Sequence, residues 1–98
     1  MALTAWGFIY TATGSDPNRE TIVETPSCRS VFVGVDHPEQ AIAVARRLVD
    51  GGAQLIELCG GFGPIWTARV IEEVRGAVPV GAVAYGIEGV DQVHALFA

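Results

Sequence analysis

The sequence predicts an α/β domain: an open, mostly parallel sheet of four or five strands with about three helices packed on it. Three observations carry that expectation. From Val31 onward, short β-prone runs alternate with amphipathic helical runs. The starts of the later strands, near Val31, Leu55 and Val78, recur about every 24 residues, and such βα units run parallel with right-handed crossovers. Half of the 98 residues are hydrophobic and only 17% are charged, below the roughly 25% usual for soluble domains. That apolar excess fits a sheet covered on both faces, and it predicts a homo-oligomer besides. Ninety-eight residues make a single domain over 1–98, with too few units to close an eight-stranded barrel.

The expected order is β-loop-β-α-β-α-β-α. Ala5 to Thr11 is aromatic-rich and apolar on both alternating faces, a largely buried strand. Gly7 leaves one side of it shallow enough for close helix packing. Residues 12–30 are dense in turn formers and lack a helical period, so they read as a long loop containing a possible edge strand around Thr21 to Thr25. Val31 to Val35 is a strand. Asp36 follows as a helix N-cap, with Pro38 in the first turn and Glu39 three residues on, a capping-box spacing. Ala41, Ile42, Val44, Ala45, Leu48 and Val49 fall on one helical face, and Gly51-Gly52 ends the helix. Leu55 to Cys59 is the next strand and Pro64 to Arg75 the next helix, with Ile65 alone among its polar residues. Val78 to Ala84 and Glu88 to Phe97 supply the last strand and helix.

Composition excludes several chemistries. The net charge is −5, and all six basic residues are arginines. Without lysine there is no Schiff-base chemistry, no pyridoxal-phosphate anchor and no Walker-type phosphate lysine. An acidic chain without a basic cluster is a poor nucleic-acid binder. No apolar run reaches the roughly 18 residues of a membrane span, and Met1 to Tyr10 lacks the features of an export signal. Cys28 and Cys59 are therefore expected as reduced thiols in a cytoplasmic protein. No metal-ligand spacing occurs, so neither metal nor cofactor is expected.

In a parallel sheet the carboxyl ends of the strands share one edge, where ligands bind. That edge collects His37, then Cys59-Gly60-Gly61-Phe62-Gly63-Pro64, then Tyr85. The glycines free the backbone to approach a ligand, and the amides of the following first helical turn favour a small anion. Arg19 in the long loop is a mobile cation that reaches such an edge if the loop closes over it. Gly61-Phe62-Gly63-Pro64-Ile65-Trp66 carries tryptophan where a dinucleotide fingerprint needs its third glycine, which argues against NAD. Cys59, facing a helix start, is a candidate nucleophile, and Glu57, two residues away, a candidate base. Buried cysteines are also ordinary core residues, and a nearby carboxylate raises a thiol's pKa.

Gly14-Ser15-Asp16-Pro17, Val23-Glu24-Thr25-Pro26, Val33-Gly34-Val35, Leu55 to Pro64 and Val78-Pro79-Val80-Gly81 together resemble a small family of uncharacterised prokaryotic proteins of about this length, a domain of unknown function. The resemblance implies a single α/β domain and assigns no activity or catalytic residue. Three functional classes remain open: a self-associating protein that binds a small anionic metabolite, a small enzyme using Glu57 and Cys59 for proton transfer or covalent chemistry, and a purely structural or subunit-interaction module.

Overall fold

In the computed structural model, which describes residues 2–97, five strands form one sheet in the order β2-β3-β1-β4-β5. They are β1 (Ala5–Thr11), β2 (Thr21–Glu24), β3 (Arg29–Val35), β4 (Ile56–Leu58) and β5 (Val80–Ala82). β3, β1, β4 and β5 run parallel. β2 is the antiparallel edge that lies inside the turn-rich segment, its four residues all exposed. The direction of the first strand, which alternation could not decide, is now set: Thr11 lies at the same carboxyl edge as Val35 and Leu58.

The helices are α1 (Gln40–Asp50), α2 (Gly63–Val74) and α3 (Val90–Phe97), with a 3-10 turn at Ile87–Gly89 before the last. α1 and α2 bring Ala41, Val44, Ala45, Leu48, Val70 and Val74 onto the odd-numbered side of β1 and β3 and onto Ile56 and Leu58. The strands are apolar at alternate positions and the helices at every third or fourth, so the two patterns meet in one core. Gly7 is what lets α1 sit so close. A Cβ there would stand 2.7 Å from Leu48 Cδ1.

The expectation of a sheet covered on both faces is not met. Among the described residues no helix packs on the opposite face, which carries Trp6, Phe8, Tyr10 and Phe32 and, on β4, Glu57. Trp6 and Phe8 pack on Phe32 with ring centroids 5.7 Å and 6.1 Å apart, so the face shelters itself in part. Because both crossovers move the chain the same way across the sheet, right-handedness puts both helices on one side.

The start of α1 also departs from the expected capping box. The helix begins at Gln40, and Glu39, at the cap position, makes no side-chain cap bond. Asp36 Oδ1 instead accepts the amide of Gly14 at 2.7 Å. Gln40 Oε1 takes the amides of Asp36 and His37, at 2.9 Å and 3.1 Å. The side chain of the first helical residue thus satisfies the entering amides, and the carboxylate is free to anchor the loop after β1.

Candidate functional site

The carboxyl edge of the sheet is built around the corner between β4 and α2. Leu58 is the last residue of the ladder, and beyond it Cys59, Gly60 and Gly61 turn the chain. Of the three glycines only Gly63 has a positive φ, +71°, a left-handed conformation that favours glycine. Gly60 and Gly61 are needed for room instead. A Cβ on Gly60 would lie 2.6 Å from the ring of Tyr85, and one on Gly61 would collide with Thr11 Oγ1.

Phe62 turns away from solvent into the core, where it is 4% exposed. Cys59 packs against the same core. Its sulfur accepts the amide of Thr11 at 3.3 Å and lies 3.6 Å from that residue's hydroxyl. Glu57 points from the uncovered face of the sheet and borders a small hollow with Gly81, Ala82 and Val83. The two candidate catalytic residues therefore face different surroundings, one packed and one open.

α2 starts without a side-chain cap, with Phe62 at the cap position, Pro64 in the first turn and no acidic residue there. Pro64 has no N–H, and the amides of Gly63 and Ile65 lie ahead of the first intrahelical hydrogen bond. The Thr67 hydroxyl donates back to Gly63 O at 2.7 Å and holds this turn.

Gly60, Gly63 and Pro64 form one end of an apolar groove of about 690 Å³. Its walls are the Thr67–Ala68–Ile71 face of α2, the chain from Ala82 to Tyr85, and Val90, Val93 and His94 of α3. Of the residues expected at the edge, the groove unites Gly60, Gly63, Pro64 and Tyr85. His37 stands apart, solvated and 3.4 Å from Asp36. Arg19 lies elsewhere, bordering a polar hollow of about 280 Å³ with Tyr10, Ser15, Asp16 and Phe32. The long loop does not reach the groove: Asp36 ties it down at Gly14, and Arg47 bonds Pro17 O at 2.8 Å and Glu20 at 3.3 Å.

His94, Thr67 and Ile71 are groove residues that sequence reasoning passed over. Ile71 falls with Val70 and Val74 on the apolar side of the α2 pattern, yet it is exposed in the groove while those two are buried. The signal that could have found them is the last helix, whose apolar positions match no remaining strand. Among the described residues no group of three or more His, Cys, Asp or Glu side chains converges as a metal site would require. A model of the family described as "Family of unknown function (DUF6506)" matches residues 4–98. The chain belongs to this family. The match spans all five strands and the residues that line the groove. Comparisons with curated proteins and with solved structures return no match.

Proposed function

We propose that this member of the family binds small, largely apolar carboxylic acids in the groove between α2 and α3. The carboxylate would lie against the Gly63 and Ile65 amides and the hydrocarbon part against Ala68, Ile71, Val83 and Val93. The observation that supports this reading is the junction of an uncapped helix start with an apolar trough at the carboxyl edge of a parallel sheet. The groove has no lysine or arginine in its walls, so an anion there depends on amides, the helix dipole and the Tyr85 and His94 side chains. An inorganic anion alone would gain nothing from the apolar walls, which is why the ligand is assigned a hydrocarbon part.

Titration calorimetry and thermal unfolding with octanoate, octan-1-ol and inorganic phosphate test this. Octanoate is expected to bind more tightly than either. At ten times its Kd it should stabilise the fold by about 1.4 kcal/mol, a rise in Tm of several degrees for a domain of this size. Ile71→Trp, which fills the trough, should abolish the effect. Absence of any octanoate response at millimolar concentration, or equal responses to octanoate and phosphate, would remove the proposal.

A further inference from the structure

No residue from Gly81 to Phe97 is buried. In that stretch Val83, Tyr85, Val90 and Phe97 are exposed, Ile87 is 88% exposed and Leu96 80%. Helices shorter than about 12–15 residues are marginal in water unless a surface holds them, and α3 has eight. Among the described residues its own chain supplies such a surface along the groove, through Val90, Val93 and His94. Leu96 and Phe97 continue the apolar surface beyond it and are largely uncovered among the described residues.

The surface area of the whole chain leaves enough to be covered by a partner. The chain exposes 6289 Å², whereas the scaling for folded monomers gives about 5,400 Å² at its mass of 10.3 kDa. The excess, roughly 900 Å², is close to the about 800 Å² that each partner buries in a standard interface. The same region carries a concave apolar groove beside a convex apolar ridge. From residue 76 to 97 its acidic and basic side chains are Glu88, Asp91 and His94 alone, so two such faces meet with little like-charge repulsion.

We infer that a second copy of this chain docks on α3 about a two-fold axis, with Leu96 and Phe97 of each protomer roofing the groove of the other. A ridge and groove on one patch satisfy each other in such a pair, and the two-fold closes it as a dimer rather than a fibre. The groove, open to solvent in one chain, is then complete only in the pair. This shares the groove with the ligand proposal but rests on separate observations, and it is measured without ligand.

Sedimentation velocity of the full chain from 1 to 100 µM should give twice the monomer mass at the upper concentrations. Leu96→Asp and Phe97→Asp should shift the species to monomer at 10 µM, while Val23→Asp, on the edge strand of the uncovered sheet, should leave the dimer intact. Hydrogen exchange of the unmodified protein needs no folded variant: amides of 90–97 should be more protected at 100 µM than at 1 µM. A monomer across the whole range, protection of 90–97 independent of concentration, or dissociation by Val23→Asp and not by Leu96→Asp would overturn the inference. Octanoate binding is read separately on the same samples. A dimer that ignores octanoate defeats only the ligand proposal, and a monomer that binds it defeats only this one.

Discussion

Gly63 carries the conformational demand of the corner. Its φ of +71° is where a Cβ meets the following carbonyl, and α2 leaves the corner in its observed direction only if that angle holds. Gly63→Ala should cost about 1–2 kcal/mol of stability by urea unfolding. A loss well below that range would mean the helix start shifts by a residue instead. Its neighbours were legible in kind but not in role. Three close glycines do announce a tight strand–helix corner, yet nothing local tells which needs an angle and which needs space. Gly60 and Gly61 are constrained by Tyr85 and Thr11, residues 25 or more positions distant. Cys59 and Glu57 show the same limit. Alternation puts both on one side of a strand, but the ladder stops at Leu58 and the period of two stops with it. Glu57 stays exposed, and the thiol turns toward Thr11 and the core.

Among the elements, α1 was the most readable and shows what helical periodicity can and cannot convey. Ala41, Val44, Ala45 and Leu48 are buried as their spacing requires. The start of the helix is different, because Asp36 has a competing partner in the Gly14 amide and that pairing lies beyond any local window. The contact of α1 with β1 makes its own prediction. Leu48 occupies the space a side chain at position 7 would need, so Gly7→Ala should force the leucine off its rotamer and cost about 1–3 kcal/mol. Pairing Gly7→Ala with Leu48→Ala should recover part of that loss, and chemical unfolding of the double variant measures it. Strictly additive losses would mean the two positions do not crowd each other. β2 was visible as a β-prone run among turn residues. Its antiparallel direction follows once β1 and β3 are known to be parallel neighbours, since the chain must return between them.

For the whole molecule, the βα alternation from Val31 on was enough to read a parallel sheet with a long excursion before it. The strand order was not, because placing β1 between β3 and β4 depends on pairings about 24 and 49 residues apart. The bare face of the sheet was equally hidden: composition states how much apolar surface exists, and only topology states where the helices leave it. If that surplus is met by a second copy at α3, stability becomes a matter of mass action. The Tm should rise with protein concentration between 1 and 100 µM, and for Leu96→Asp it should not. Scanning calorimetry over that range checks this, and a Tm independent of concentration in both proteins would count against coupling between folding and assembly.

The central position of β1 has a consequence for how the protein is made. β1, flanked on both sides in the finished sheet, leaves the ribosome before either of its partners β3 and β4. A nascent chain ending at Val35 can pair β1, β2 and β3, but Ile9, Val31 and Val33 wait without a helix until α1 has emerged. During that interval an apolar β-surface faces solvent, the kind of exposure that makes a partly folded chain prone to aggregate. Arrest-peptide force profiles should place the first strong pull after α1 rather than after β3.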